Sequence, residues 1–381
     1  MTDRFRRLLW VVLAMMAVAH SRAACADILL GVAAPFSGPF EYGGEQWQRG
    51  VELAVTELNA AGGLVGQEVV LDIADDYCDA EQAMVAARKL VADRVAAVIG
   101  HLCSGAAIPT SDLYESARIP SLTLATNPLL TERGLRFVFR PASRDDAQGA
   151  FAADYLVREV GAKRIGILHD STVYGKGVAE VTRKRLDEFG TRAVLVEAIQ
   201  PSQIVFADVI ERLRRAAIDG LYYGGYGRPA ALLRRQMAET QFLPTMMVSS
   251  GAGAEDYQLI AGPAAESTLV TGDPLLETAE FSDFESRFRA AAGVKSDIRG
   301  RTAYRGVMIW AEAVKAAGTT DGPAVAEALH SRTFYVSGVE VRFDSKGNAQ
   351  GPLAENGVWV WHGGELVPLE PKARVGSGQT P

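Results

Sequence analysis

After Asp27 the chain alternates short apolar runs with longer stretches in which apolar residues recur every three or four positions. A short apolar run bounded by turn residues is typical of a buried strand, and the wider spacing is typical of an amphipathic helix. The pattern therefore predicts a repeated strand–helix order. The predicted strands cover residues 28–33, 69–73, 95–99, 120–124, 165–168, 194–198, 221–223, 246–249, 268–271, 339–343 and 358–361.

The helix predictions depend on spacing and on end signals. Trp47, Val51 and Leu58 recur at helical spacing before Gly62-Gly63, which is a typical helix end. Asp79 and Gln82 form a capping box for a helix that ends near residue 92. Further helices are predicted at residues 104–117, 145–160, 178–189, 281–292, 304–317 and 324–329.

This order predicts the α/β class with doubly wound parallel sheets, because short strand–helix connections join strands that run in the same direction. One series of elements ends near residue 124 and a second begins near Asp145, so we expect two sheets in two lobes. The later elements are too few for a third domain. We expect them to complete the two lobes.

Distinctive turns follow several predicted strands, and open parallel sheets bind ligands at that edge. The strand at 95–99 stops at Gly100, and Ser104 then begins a helix. A helix start offers free backbone amides, and the serine adds a hydroxyl, which together form an anion site. The sequence therefore predicts a site for a small molecule with a carboxylate. The other turns are Phe36-Ser37-Gly38-Pro39 with Tyr42, Ala125-Thr126-Asn127-Pro128, Asp170 to Gly175, and Gly224-Gly225-Tyr226.

Residues 1–26 have the three parts of a secretory signal peptide. Three early arginines precede an apolar run at residues 8–19, and Ala24-Cys25-Ala26 is a cleavage site. The apolar run is shorter than the roughly 20 residues that span a bilayer. The sequence therefore predicts export to the periplasm. Cys25 as a lipid-attachment cysteine is the alternative, although Arg22 stands where such signals carry an apolar residue.

Cys78 and Cys103 are the two cysteines that remain after such a cleavage. An even pair in an oxidising compartment is most simply a disulfide. A Cys/His metal site is the alternative, but only His101 lies near, and structural zinc takes four ligands. We expect no metal and no cofactor.

The sequence contains no recognisable catalytic motif. None of the five histidines stands in His-Glu-x-x-His, and there is no Gly-x-Ser-x-Gly. We interpret Asp75-Asp76 as a solvated turn and His101 as a hydrogen-bonded structural histidine. The net charge of −7 is unfavourable for binding nucleic acid. These features favour a binding protein over an enzyme.

Motifs over nearly the whole chain after residue 26 carry a family resemblance. The chain resembles the periplasmic leucine/isoleucine/valine-binding proteins of branched-chain amino acid ABC importers, which implies the type I periplasmic-binding fold. In that fold two doubly wound lobes are joined by a hinge of three crossovers. The position of the Cys78–Cys103 pair also matches. The matching motifs are Phe36-Ser-Gly-Pro39, Asn59-Ala-Ala-Gly-Gly63, Asp75-Asp-Tyr-Cys-Asp79, Ile99-Gly-His-Leu-Cys-Ser104, Ser111-Asp-Leu-Tyr-Glu115, Ala125-Thr-Asn-Pro128, His169-Asp170 with Tyr174-Gly175, and Tyr222-Tyr-Gly-Gly-Tyr226.

The resemblance implies roles for three polar positions at the strand ends. The hydroxyl and amide of Ser104 and the amide of Thr126 should hold the ligand carboxylate. The Thr126 hydroxyl and the Leu124 carbonyl should accept hydrogen bonds from an α-ammonium group. A carboxylate taken out of water needs several such charge-assisted hydrogen bonds.

The resemblance also implies an aromatic pocket for the ligand side chain. Tyr42 should line it from one lobe, and Tyr174 and Tyr226 should line it from the other. Tyrosine offers apolar faces at low entropic cost.

Two departures from the family pattern place the ligand's identity in question. The family's acidic partner for the ammonium group aligns near Ser250, and Glu255 or Asp256 is a candidate substitute. A pocket aromatic of the family aligns near Arg299, with Arg301 close by. An arginine in the cleft would suit a second carboxylate or another polar group, and a solvated surface arginine is the alternative.

The resemblance implies a monomeric receptor that binds an amino acid, branched-chain or related, and delivers it to an inner-membrane ABC permease. An aromatic or dicarboxylic acid is the alternative ligand, and an exported sensor for a signalling receptor is the alternative role. We expect residues 27–143 and 273–351 in one lobe, and 144–272 and 352–371 in the other. The crossovers are expected near Ser143, Gly272 and Gly351, and residues 372–381 are expected to be a disordered tail.

Overall fold

The computed structural model describes residues 27–272 and 279–369, in which fifteen strands and eleven α-helices are assigned. The predicted signal peptide and the predicted tail lie outside the described residues. None of the described helices is long and apolar enough to cross a membrane. The strands are β1 Ile28–Ala34, β2 Val69–Asp75, β3 Ala97–Gly100, β4 Ser121–Leu122, β5 Val138–Phe139, β6 Ile165–His169, β7 Leu195–Ala198, β8 Gly220–Gly224, β9 Thr245–Val248, β10 Leu269–Gly272, β11 Phe334–Val336, β12 Val339–Phe343, β13 Ala349–Gln350, β14 Gly357–His362 and β15 Glu365–Leu369.

The predicted helices are present, and most of them are longer than predicted because their first turns are polar. The 145–160 prediction divides into an α-helix and a final π-helical turn, Leu156–Val160. The α-helices are Glu41–Ala60, Ala80–Ala92, Ser104–Ala117, Asp145–Tyr155, Val173–Glu188, Ala207–Arg215, Gly227–Glu239, Glu255–Ala261, Ala279–Ala292, Ile298–Ala317 and Gly322–Ser331.

The first sheet has the order β2-β1-β3-β4-β5, and all of its strand pairs are parallel. Its central strands are buried on both faces, as expected for a sheet with helices on each side. The predicted strand at 120–124 is reduced to β4, because the chain turns away from the sheet after Leu122. The next strand, β5, was not predicted, since two residues carry no readable period.

The second sheet has the order β15-β14-β10-β9-β8-β6-β7. The pairs from β10 to β7 are parallel, whereas β14 pairs antiparallel with both β10 and β15. The predicted parallel sheets are confirmed, and this edge of the second sheet adds an antiparallel hairpin. The chain reaches β14 late and turns directly into β15 through Gly363-Gly364, so a hairpin replaces the helical crossover.

The late elements pack against the first core and extend the second sheet. The helix Ile298–Ala317 packs against Glu41–Ala60 in the core of the first lobe, and the small antiparallel sheet β11–β13 joins the same core. The two helices approach very closely at one point. A Cβ on Gly50 would lie 2.1 Å from the Gly300 carbonyl oxygen. This contact fixes the position of the neighbouring residue, Arg299.

The turns after β2 and β3 are tied together at two points. Cys78 and Cys103 form the predicted disulfide, with a Cα–Cα distance of 5.4 Å. Asp76 is fully buried, and its Oδ2 lies 2.7 Å from His101 Nδ1. The interpretation of Asp75-Asp76 as a solvated turn is wrong for Asp76, because the structural histidine needs a buried partner. The two links hold the loop that leads into Ser104.

The loop after β4 is held by Arg140, which is fully buried just beyond β5. Its Nη1 donates to the carbonyls of Ala125 and Asn127 at 3.0 and 2.9 Å, and its Nη2 donates to Thr131 Oγ1 and Asn348 Oδ1. Burial lowers the pKa of Arg140 to about 10, so the guanidinium stays charged at neutral pH. A positive charge therefore lies directly behind this loop.

Asp145 begins the helix Asp145–Tyr155 and is fully buried beside the same loop. Its amide donates to the Thr126 carbonyl at 3.0 Å. Burial raises the pKa of the Asp145 carboxyl to about 7, against the opposing effects of the Thr126 hydroxyl and Arg140. The carboxyl is therefore half-protonated near neutral pH.

Replacement of Arg140 by methionine should destabilise the protein by about 3 kcal/mol or more, because two carbonyls and an amide oxygen lose a charged donor. Urea unfolding measures this change. Arg136→Met is the matched control, since Arg136 is exposed and pairs with Glu327 at the surface. Its expected effect is below about 1 kcal/mol. Equal losses in the two variants would contradict the role given to Arg140.

The pH dependence of stability should change in Asp145→Asn. An unfolded aspartate titrates near pH 4, so between pH 4 and 7 the folded protein keeps a proton that the unfolded chain releases. Stability therefore falls as pH rises through this window. Between pH 5 and 8 the parent protein should lose on the order of 2 kcal/mol more than the variant in urea unfolding.

Asp146→Asn is the control for this experiment. Asp146 is half-buried, and its pairing with Arg144 lowers the pKa of its carboxyl despite that burial. Its titration lies outside the pH 5–8 window, so Asp146→Asn should keep the full loss. If Asp145→Asn keeps the same pH dependence as the parent, the shifted titration assigned to Asp145 is wrong.

Candidate ligand-binding site

A cleft of about 780 Å³ lies between the two lobes, where the carboxyl ends of both sheets face each other. Its volume includes space open to solvent. The structure places all eight sequence-predicted positions in the wall of this cleft. They are Tyr42, Ser104, Leu124, Thr126, Tyr174, Tyr226, Ser250 and Arg299.

One end of the cleft carries backbone donors and hydroxyls. Ser104 is the first residue of its helix and is 1% exposed, so its amide and that of Gly105 have no intrahelical acceptor. Thr126 lies in the adjacent loop, and Asn127 N donates to Ser104 Oγ at 3.4 Å. The helix dipole and the charge of Arg140 behind the loop both favour an anion here.

Aromatic rings form a second wall. The Tyr174 and Tyr226 ring centroids lie 5.2 Å apart. Phe40, from the first lobe, meets Tyr226 edge-on at 4.8 Å. Sequence reasoning missed Phe40, although it directly follows the Phe36–Pro39 motif. The rings offer flat apolar faces to a ligand from both lobes.

Asp170 holds the two tyrosine-bearing turns together. Its Oδ2 accepts from Tyr226 N at 2.8 Å, and its Oδ1 accepts from Thr172 Oγ1 at 2.6 Å. A Cβ on Gly175 would lie 2.2 Å from Asp170 Oδ1, and one on Gly225 would lie 2.4 Å from Asp170 Cγ. The glycines in both motifs therefore leave room for this carboxylate.

Ser250 belongs to a neutral hydrogen-bond network. Gln148 Nε2 donates to Ser250 Oγ at 3.0 Å, and Ser250 N donates to Gln148 Oε1 at 3.2 Å. The Tyr174 hydroxyl lies 3.3 Å from Ser250 Oγ. The structure thus supplies neutral dipoles at the position where the resemblance places an acidic residue.

Charge is concentrated instead around Arg299. Its side chain is buried rather than solvated, and its Nη2 donates to Asp256 Oδ1 at 3.0 Å across the cleft. Its Nη1 lies 3.3 Å from Asp297 Oδ2. The guanidinium also lies over the Tyr42 ring, 5.9 Å from the centroid. Burial, then Asp297 and Asp256, raise the pKa of Tyr42 to about 12, so its hydroxyl stays protonated.

A second cavity of about 1040 Å³, also partly open to solvent, adjoins the first at Ser250 and Ile298. Glu255 and Arg301 line this second cavity rather than the cleft. Of the two candidate substitutes for the missing acid, only Asp256 therefore faces the cleft.

The arrangement is suited to holding a ligand, since backbone donors, aromatic faces and a charged pair line the same cleft. Within residues 27–272 and 279–369, no three histidine, cysteine or acidic side chains are grouped as metal ligands. Besides Phe40, sequence reasoning missed Gln148 and Arg140. The sequence signal for Arg140 was its position at the end of the apolar stretch Phe137-Val-Phe-Arg140, where an arginine indicates a buried charge.

Comparisons with known proteins agree with this geometry. The family model described as "Periplasmic binding protein" matches residues 27–356. The Leu/Ile/Val-binding protein homolog 2 of Brucella abortus (strain 2308) is 36% identical over 351 residues, covering 91% of this chain and 94% of that protein. An amino acid binding protein of Pseudomonas aeruginosa is 34% identical, covering 90% of this chain and 92% of that protein.

Solved structures share the fold. The branched-chain amino acid substrate-binding protein LivJ of Streptococcus pneumoniae, in complex with isoleucine, has a TM-score of 0.83 at 22% identity and covers 91% of this chain and 100% of its own. A solute-binding protein of R. palustris, in complex with benzoate, has a TM-score of 0.82 at 19% identity. The match covers 90% of this chain and 96% of that protein. The chain therefore has the type I periplasmic-binding fold and belongs to the periplasmic binding protein family, whose members bind substrates and are not enzymes.

Proposed function

We propose that this protein is the periplasmic receptor of an ABC importer, which binds an amino acid between its lobes and delivers it to a membrane permease. The observation that carries this proposal is the anion-binding end of the cleft. Ser104 at a helix start and Thr126 in the adjacent loop face an aromatic wall from the other lobe. The similarity to Leu/Ile/Val-binding proteins supports the class of ligand.

In this proposal the carboxylate accepts hydrogen bonds from the Ser104 hydroxyl and amide and from the Thr126 amide. The Leu124 carbonyl and the Thr126 hydroxyl accept from an ammonium group. Tyr42, Tyr174 and Tyr226 surround the remainder of the ligand. Each charge-assisted hydrogen bond contributes about 1.5–3 kcal/mol when both partners are desolvated.

An aromatic acid is the second candidate ligand. The neutral network around Ser250 favours it, because a ligand without an ammonium group needs no acidic partner there. The faces of the two adjacent tyrosines would accept a ring, and the structural relative from R. palustris is in complex with benzoate.

The proposal includes closure of the two lobes around the ligand. Residues 27–143 with 273–351 form one moving lobe, and residues 144–272 with 352–371 form the other, with crossovers near Ser143, Gly272 and Gly351. The closed monomer then docks on the permease in the inner membrane. Residues 1–26 direct the chain to the periplasm.

Ser104→Ala should weaken every carboxylate ligand about tenfold or more, because the carboxylate loses a charge-assisted hydrogen bond. Calorimetric titration with leucine, glutamate and 4-hydroxybenzoate measures the affinities of the parent and the variant. Titration with 4-methylpentanoate, which is leucine without its ammonium group, measures the contribution of that group.

Ser116→Ala is the matched control, since Ser116 lies on the same helix, is exposed, and bonds only its own helix at Asp112 O. Its affinities should equal those of the parent. Unchanged affinity in Ser104→Ala would contradict the assigned anion site. A cleft that binds neither these four acids nor carboxylates that carry an amide group would contradict the proposed function itself.

A further inference from the structure

The end of the cleft at Arg299 is charged, and it departs from the family pattern, in which the resemblance places a pocket aromatic. Arg299 comes from the first lobe, and Asp256 comes from the helix Glu255–Ala261 of the second lobe. Both line the cleft, and their side chains are 7% and 18% exposed. A ligand that fills the cleft must therefore contact a desolvated ion pair.

This ion pair leaves hydrogen-bonding capacity unused. Arg299 Nη1 and Asp297 Oδ2 are buried and have no hydrogen bond among the described residues, although they lie 3.3 Å apart as an ion pair. Asp297 Oδ1 is occupied by the amides of Arg299 and Gly300, so the carboxylate cannot turn to meet the guanidinium. A buried donor without a good acceptor is costly, and both atoms are enclosed by protein, so a ligand in the cleft contacts this cluster through the exposed parts of Arg299 and Asp256.

The Arg299 guanidinium is shared between two acids, and the exposed Arg228 also lines the cleft. One guanidinium faces two carboxylates, those of Asp256 and Asp297. A second carboxylate on the ligand would add a further negative charge and compete with Asp256 for the same guanidinium. A hydrocarbon side chain would desolvate the pair without replacing any hydrogen bond.

We propose that the ligand carries an uncharged carboxamide at this end, recognised by the Arg299–Asp256 pair. The amide oxygen accepts from Arg299, and the amide NH2 group donates to Asp256. A carboxamide is neutral and offers both an acceptor and donors, so it satisfies the two partners at once. This inference depends on the proposed function, because it places the ligand's carboxylate at Ser104 and Thr126.

The two partners are rigidly supplied, which makes the pair selective. Gly43 leaves room for the Arg299 side chain, since a Cβ there would lie 3.1 Å from Arg299 Cδ. Gly227 does the same for Asp256, whose Oδ2 would lie 2.7 Å from a Cβ on Gly227. A site that hydrogen-bonds a polar group strongly rejects analogues that lack it.

Calorimetry with isosteric ligand pairs tests the inference. Glutamine against glutamate compares amide and acid in the presence of an ammonium group, and glutaramate against glutarate compares them without one. In whichever pair binds to the protein, the amide should bind at least about tenfold more tightly than its acid. The same amide should also bind more tightly than leucine. Tighter binding of the acid, of leucine or of lysine would overturn the inference.

Asp256→Asn provides the second, independent measurement. The variant removes the competing carboxylate, so the amide-to-acid affinity ratio should shift about tenfold or more toward the acid. Asp187→Asn is the matched control, because Asp187 is an exposed acid paired with Arg183 far from the cleft wall. The amide-to-acid affinity ratio of Asp187→Asn should equal that of the parent protein. If Asp256→Asn folds and its affinity ratio is unchanged, the inference is also overturned.

The outcomes separate this inference from the proposed function. If leucine binds best and Ser104→Ala weakens it, the proposed function stands and the carboxamide assignment is wrong. If none of the acids or amides binds, the proposed function is wrong as well.

Discussion

The cleft depends on one constraint, which is that parallel strands end at the same edge of a sheet. Each such strand passes into a loop whose backbone groups are no longer paired in the sheet, and the following helix begins with free amides. Two sheets that face each other at these edges gather many uncommitted dipoles in a small volume. The anion site proposed at Ser104 is therefore a consequence of chain topology, and side chains only refine it.

Refinement requires that the loops be held still, and buried charges do this. Arg140 binds the carbonyls on both sides of Thr126, and Asp170 binds the backbone at Tyr226. Each replaces the water that an isolated loop would need for its polar groups, which is why a buried ion here is tolerated. The same charges shape the field in the cleft, since the guanidinium behind the loop is positive.

Much of the fold was predictable from the sequence, because strand and helix periods and end signals are local. Ser104 at a helix start and the Cys78–Cys103 pair were predicted, and the structure shows both as expected. The buried pairings of Asp76 and Arg140 were not predicted, because the partners of these residues lie far away in sequence. The strand β14 was predicted, but its antiparallel direction was not, since that direction depends on which strand it meets. The site positions came from resemblance, and their ligand roles remain a prediction.

The distribution of charge in the cleft separates this chain from the family pattern. Ser250 makes the expected acidic position neutral, while Arg299 and Asp256 place a charged pair beside it, since Arg299 Nη2 also donates to the Gly251 carbonyl at 3.5 Å. This pair joins the two lobes, as does the exposed contact between Lys295 and Glu365. An exposed pair contributes little to closure, whereas the buried pair is worth more when its remaining hydrogen bonds are filled. In the proposed closure, a ligand that hydrogen-bonds the exposed parts of this pair is favoured over one that only occupies the space, so recognition and closure would depend on the same two side chains.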